Sequence, residues 1–372
     1  MKIDAHWMRG GTSKCWVFEK SEILATGHSA DAVLSRTFGS PDPRQLDGVG
    51  GATSTTSKAL ILQQDNGHDI DVRFTFAQVG IDEAKVDWGS NCGNCSSAVG
   101  LYALEQGWVP MVDPVTEIRT FNTNTGQTIV QTIHTPGGKL PTEPDGYIPG
   151  LQTPGHRVSL GFLSPEGRTT GHVLPAGKPL TVMPLDDGRK INVSIVDAGA
   201  PAVIVDAESF GLDFLNYDSW PSIVENQLEI LELIRRKSAV EMGLAASPEE
   251  AERAIPKLGL VSKPNSSDID IQVLMLSMGK LHPAMPITGS VAVTVASQIP
   301  GTVVANSLQN TLAEELRIGI PGGVLSTFTD ESSLGKTVGV YRTARTLVDG
   351  RIHLSNGELE KTARRMGKGA LV

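Results

Sequence analysis

Two short strings near the start of this 372-residue chain hold the residues best suited to chemistry: Met8-Arg9-Gly10-Gly11-Thr12-Ser13-Lys14 and Gly50-Gly51-Ala52-Thr53-Ser54-Thr55-Thr56-Ser57-Lys58. Both are rich in glycine and hydroxyls, and both end in Ser-Lys. A third string, Gly89-Ser90-Asn91-Cys92-Gly93-Asn94-Cys95, has the same small, polar character and opens a helix-like run. Glycines let a ligand approach the backbone, and hydroxyls with exposed N–H groups bind carboxylate or phosphate oxygens. With lysine and cysteine as proton carriers, the pattern points to an enzyme acting on a small polyanion. Lys58 runs straight into Ala59-Leu60-Ile61-Leu62, so it stands where a buried strand begins. Burial lowers a lysine's pKa and suits it to proton transfer. Lys14 has a similar setting, and the residues alone do not rank the two.

Cys92-Gly93-Asn94-Cys95 is a CxxC. A zinc site needs about four ligands, and no second CxxC or close histidine pair completes one. A redox reading lacks the aromatic and proline context of a thioredoxin-like motif. The plain alternative is a buried structural pair. Cys92 stands out by its place at a helix start, where the dipole is expected to lower a thiol pKa from about 8.5. Cys95, one turn inward, and Cys15, on a strand, read as packing. Gly48-Val49-Gly50-Gly51 lacks the third glycine of a dinucleotide loop and no GxxxxGK[ST] occurs, so a kinase or dehydrogenase has no anchor.

These strings need a scaffold, and the length is that of two domains rather than one. Hydrophobic content of 40% and charged content of 20% are those of a soluble globular protein. A net charge of −9 argues against nucleic acid as a partner. With no apolar run of about 18 residues there is no expected membrane span, and with no leader pattern secretion is not expected. Three cysteines without framework spacing fit a reducing cytoplasm. The expected partner is a small polycarboxylate, and the chain leaves room for a homodimer.

Short strands with Gly, Pro and Asp punctuation dominate. Ile70, Val72, Phe74 and Phe76 alternate with polar residues, and Ile269, Ile271 and Val273 repeat the pattern in the second half. Asp349-Gly350 predicts a two-residue hairpin between Thr343–Leu347 and Arg351–Leu354. Helices are predicted over Cys95–Gln106, Ser222–Leu244, Gly289–Ile299 and Asn306–Arg317; Pro221, Ser222 and Glu225 form the start of the longest. The Pro- and Gly-rich stretch Thr135–His156 reads as a surface connection. The halves share a layout. A Gly-edged strand in each (Arg9–Phe18; Asp197–Pro201 with Ala202–Val205) is followed later by a small-residue turn opening an Ala/Val-rich helix (Asn91–Gly100; Ile287–Ser297). This predicts a duplicated mixed α+β unit with a cleft between copies, where two helix N-termini would face one ligand.

The MRGGTSK, DGVGGATSTTSK and DWGSNCGN strings, in this order, resemble the PrpF family, and HPAMPITGSVAV and RTARTLVDG extend the resemblance over most of the chain. It implies an α+β fold of two similar diaminopimelate-epimerase-like domains with the active site between them, divided here as 1–185 and 186–372, the C-terminal segment free to return to the first. It implies a cofactor-independent isomerase of unsaturated di- or tricarboxylic acids. By the same resemblance Lys58 is the catalytic acid/base, Cys92 faces it across the substrate, and Ser13 supports the lysine. Carboxylate binding falls to Arg9, Thr12, Ser57, Asn91, Gly93 and Asn94, joined by His282, Thr288, Gly289 and Ser290. Racemases of this fold use one cysteine from each domain. All three cysteines here precede residue 100, which excludes two-thiol chemistry and leaves a one-base allylic proton shift. A non-catalytic accessory or carboxylate-binding protein using the same cleft is the alternative, and turnover with aconitate-like substrates separates the two.

Overall fold

A computed structural model describes the chain except residues 90, 186, 278, 283, 310–314 and 367–372, and the side chain of residue 277. The strands are β1 (Lys2–Gly10), β2 (Ser13–Glu19), β3 (Lys58–Gln64), β4 (Val72–Val79), β5 (Val86–Asp87), β6 (Val115–Asn122), β7 (Gln127–His134), β8 (His156–Leu163), β9 (Thr181–Pro184), β10 (Lys190–Ala198), β11 (Ala200–Asp206), β12 (Lys257–Ser262), β13 (Ile271–Ser277), β14 (Lys280–Leu281), β15 (Glu315–Ile320), β16 (Gly323–Ser332) and β17 (Gly335–His353). The helices are α1 (Lys20–Ala25), α2 (Ala30–Phe38), α3 (Gly93–Glu105), α4 (Ala207–Phe210), α5 (Trp220–Glu225), α6 (Leu228–Glu241), α7 (Ile287–Ser297), α8 (Val303–Ser307) and α9 (Asn356–Met366).

The chain divides into two compact units, Met1–Leu160 with Arg342–Val372, and Gly161–Tyr341. Residues 161–185 thus fall in the second unit, where a division at 185/186 puts them in the first. The physical reason lies in their bonds: Thr169 and Thr170 donate backbone N–H groups to the buried Asp197 carboxylate, and β9 pairs with β10. The C-terminal segment goes with the first unit, since Ala344–His353 of β17 pairs with β1.

The two units share one strand plan. In the first, β1–β2 is antiparallel, β2–β3 parallel, β3–β4 antiparallel, β4–β6 parallel and β6–β7 antiparallel, with β5 on β4. In the second, β10–β11, β11–β12, β12–β13, β13–β15 and β15–β16 repeat those senses in order, with β14 on β13. Each unit carries one helix that is buried nearly all round, α3 and α7, built from Ala, Ser, Gly and Val. A helix with no polar face belongs in an interior. The other face of the first unit's sheet packs Ile3, Phe18, Ile61 and Ala77 on Val33, Leu34 and Phe38 of α2 and Leu359 of α9. In the second unit Val193, Val205, Leu258, Leu260 and Leu274 pack on Trp220, Leu231 and Ile234.

Three predicted elements differ. Asp349-Gly350 makes no hairpin: both residues lie inside β17, opposite His6 and Ala5 of β1. The helix over Ser222–Leu244 is split at Asn226-Gln227, and it starts at Trp220, so Ser222 is not its cap; its hydroxyl donates to the Ser219 carbonyl. The helix over Asn306–Arg317 is also absent as drawn: α8 stops at Ser307, Glu315–Arg317 are strand, and 310–314 lie outside the described residues. Among the described residues no helix is long and apolar enough to cross a membrane.

Candidate active site

Ser13 and Lys58 begin adjacent parallel strands, and Cys92 caps α3 without a side-chain cap bond. The β1–β2 turn and the first turn of α3 meet so closely that a side chain would not fit between them. A Cβ on Gly10 would lie 2.4 Å from the Asn94 carbonyl oxygen. Gly11, at φ +51°, would put one 2.1 Å from Asn94 Oδ1. That oxygen accepts from the Thr12 N–H at 3.5 Å. The Cys92 thiol donates to Ser13 Oγ at 3.9 Å. Two of the three motif strings therefore converge on the start of α3.

Lys58 pairs across β3–β4 with Gln78, so their side chains leave the sheet on one face. Its Nζ donates to Gln78 Oε1 at 2.5 Å and lies 5.1 Å from the centre of the Phe76 ring. Lys58 also lies close enough to favour ionisation of the Cys92 and Cys95 thiols. That pull is outweighed. The hydrogen bond with Cys95 and burial push the Cys92 thiol well above its ordinary value, and burial with a bond to Cys15 does the same to Cys95. The lowered thiol pKa expected from the helix dipole is not found, because desolvation and a neighbouring thiol exceed what one helix end supplies. The Cys92 thiol is therefore in its neutral form.

Several predicted binding residues are already engaged. Ser57 is buried, and its hydroxyl donates to Gln45 Oε1 at 2.7 Å, the same oxygen that takes the Ala52 N–H. Asn91 Oδ1 accepts from the buried Asn122 Nδ2 at 2.7 Å. Gly93 and Asn94 open α3. Arg9 is not brought to this cluster. It pairs with Lys14 and Arg345 in register, on the face carrying Trp7 and Trp16, whereas Ser13 lies on the opposite face. Its guanidinium is spent on the carbonyls of Gly11, Thr343 and Pro154 and on Thr343 Oγ1.

The remaining candidates lie in the second unit. Thr288, Gly289 and Ser290 occupy the first turn of α7; Ser290 is buried and donates to the Ile287 carbonyl at 2.7 Å, and Thr288 is half-buried. His282 is half-buried, its Nδ1 accepts the Ala284 N–H at 3.1 Å, and burial lowers its pKa, so it is a neutral imidazole with its proton on Nε2. Among the described residues no group of three or more His, Cys, Asp or Glu side chains is arranged to hold a metal.

Sequence reading missed Gln78, Gln45 and Asn122. Gln78 left a signal: it continues the alternation Phe74, Phe76 with an amide where the pattern calls for an apolar residue.

Two units with one mixed strand-and-helix plan define an α+β fold of the diaminopimelate-epimerase type. A hydroxyproline epimerase from Agrobacterium vitis shares it, with a TM-score of 0.50 at 12% identity over 94% of this chain and 92% of that one. Residues 1–355 match the family described as PrpF protein, and the chain belongs to that family. It is 33% identical to the 3-methylitaconate isomerase of Eubacterium barkeri over 96% of this chain and 99% of the relative. It is 34% identical to the 4-oxalomesaconate tautomerase of Pseudomonas putida, covering 94% and 95%. The crystal structure of a methylitaconate-delta-isomerase matches with a TM-score of 0.87 at 32% identity, covering 96% of this chain and 97% of that one. The protein is an isomerase.

Proposed function

We propose that this isomerase moves a double bond in an unsaturated di- or tricarboxylic acid by a 1,3-allylic proton transfer, with Lys58 as the single base and no cofactor. The observation that carries the reading is the placement of Lys58 Nζ, between Gln78 and Phe76 and within electrostatic reach of a neutral Cys92 thiol. Neutral Lys58 takes a proton from a carbon acidified by the neighbouring carboxylate and alkene. The electron pair delocalises into a dienolate, and the lysine returns a proton to the far allylic carbon. Rotation about the transient single bond adds a cis–trans change. Cys92 holds its proton and donates a hydrogen bond to the developing negative charge, beside the N–H groups that open α3. The substrate class is supported by relatives named for methylitaconate, 2-methyl-aconitate and oxalomesaconate.

Screening those three acids and aconitate for an ultraviolet absorbance change tests the class. In deuterated water the product then carries deuterium at the accepting carbon, and recovered substrate exchanges at the donor carbon. Lysine in deuterated water holds two deuterons when it takes the substrate hydrogen, so internal return is diluted, and turnover without any solvent deuterium in either would overturn lysine as the base. Activity is expected to persist in excess chelator; loss restored by a divalent cation would count against it.

A further inference from the structure

Gln78 is bound at both ends of its amide. Its Nε2 donates to the Ser57 carbonyl at 2.9 Å, while its Oε1 accepts from Lys58 Nζ at 2.5 Å. The reverse orientation would set an NH2 against an ammonium and an oxygen against a carbonyl oxygen, so chemistry fixes which end faces the lysine. Ser57 is itself immobilised: its carbonyl also takes the Val79 N–H and its hydroxyl bonds Gln45. A rigid chain thus runs from Gln45 through Ser57 and Gln78 to the lysine nitrogen. Around Nζ, β4 presents Phe76 and Gln78, both neutral. The titratable groups near it among the described residues are the Cys92 thiol that caps α3, the Cys95 thiol of α3 with Cys15 of β2 bonded behind it, and Asp87 of β5, which stands opposite Gln78 in register, is exposed and accepts the Gly89 N–H at 2.8 Å.

We propose that Gln78 is the positioning residue of the isomerisation: it aims Lys58 Nζ through a neutral acceptor, so that the bond that holds the lysine does not itself favour the ammonium form. This rests on Lys58 being the base. A carboxylate at the same place would still accept from the nitrogen, but it would favour the ammonium form, which cannot accept a proton, and would set an oxygen against the Ser57 carbonyl. An aliphatic side chain would release the nitrogen and also leave the Ser57 carbonyl short of one donor.

The test compares Gln78→Glu, Gln78→Leu and Lys58→Ala with wild type, following kcat and KM against pH for whichever of the four acids turns over. Gln78→Glu is expected to move the limb at which the base loses its proton upward by about one pH unit or more, the effect of an opposite charge at this distance. Gln78→Leu is expected to lower kcat by about tenfold or more, with KM little changed. The pH dependence of Lys58 acylation by acetic anhydride, read by mass spectrometry, reports the same titration without turnover. An unmoved limb and unmoved acylation profile in Gln78→Glu would overturn the proposal. So would wild-type kcat in a folded Gln78→Leu. Should Gln78→Leu fail to fold, the near-isosteric Gln78→Glu decides alone. An active Lys58→Ala enzyme sinks the base assignment itself; an inactive one with unperturbed Gln78 variants sinks only the role of Gln78.

Discussion

Lys58 and Cys92 stand on different elements and carry different proton chemistry. Replacing Lys58 by alanine removes the proposed base, and a loss of about 10²–10⁴-fold in kcat is expected with substrate binding largely retained. A folded variant keeping more than about a tenth of the activity would refute the role. The Cys92 thiol is held neutral by Cys95 and burial, which suits the proposed role of hydrogen-bond donor. Cys92→Ser keeps a donor hydroxyl and is expected to cost less than Lys58→Ala; Cys92→Ala, which has none, should cost more than Cys92→Ser. Steady-state kinetics on the three variants ranks them, and Cys92→Ser as the most damaging would shift the scheme to a thiolate base. At this scale the glycine and hydroxyl strings were informative because the close approaches at Gly10 and Gly11 demand those residues. Arg9 lies on the face of β1–β2 opposite Ser13, a placement set by strand alternation that no motif reveals.

The start of α3 is held from outside the helix. Asn122, at the end of β6, accepts from the Asn124 N–H at 2.8 Å and the Thr125 N–H at 3.3 Å while donating to Asn91, the neighbour of Cys92. It is fully buried. Asn122→Ala strands all three partners, and a loss of about 1–3 kcal/mol is expected from unsatisfied buried groups. Asn122→Asp keeps the two acceptor bonds but sets a carboxylate oxygen against Asn91 Oδ1 in a buried place, so it too is expected to melt below wild type and to turn over more slowly, which thermal melts and kinetics on both variants would check. Equal kcat in wild type and Asn122→Asp would show that Asn91 needs no such anchor. The elements that sequence misplaced share one cause, an unseen partner. Asp349-Gly350 would turn if its flanks paired with each other, but both flanks pair with β1. Around Asn226 the apolar positions Val224, Leu231 and Ile234 still reach one core although the helix breaks between them. Periodicity records burial, and burial survives a change of backbone.

Duplication was legible from spacing alone, and the strand plan now gives it residues. Asp71 and Arg119 clasp the parallel β4–β6 pair: the Asp71 N–H bonds the Arg119 carbonyl, and the carboxylate accepts the Arg119 N–H, Nε and Nη2. Asp270 and Arg317 repeat every one of those bonds beside β13–β15. Neither pair stands in a motif string, because each joins residues far apart in sequence. Burial opposes ionisation at Asp270, but the Arg317 guanidinium and N–H outweigh it and hold the carboxyl below its ordinary value. The sign follows. A depressed carboxyl adds stability that is complete above the ordinary aspartate pKa of about 3.9 and disappears as pH falls through the lower folded value. Asp270→Asn should therefore melt a few degrees below wild type at pH 7, and the gap should close near pH 2. Hydrogen exchange at pH 7 should place the loosening in β13 and β15, with β4 and β6 unchanged, while Asp71→Asn gives the reverse. A melting gap for Asp270→Asn as large at pH 2 as at pH 7 would mean that shape, not charge, holds the clasp.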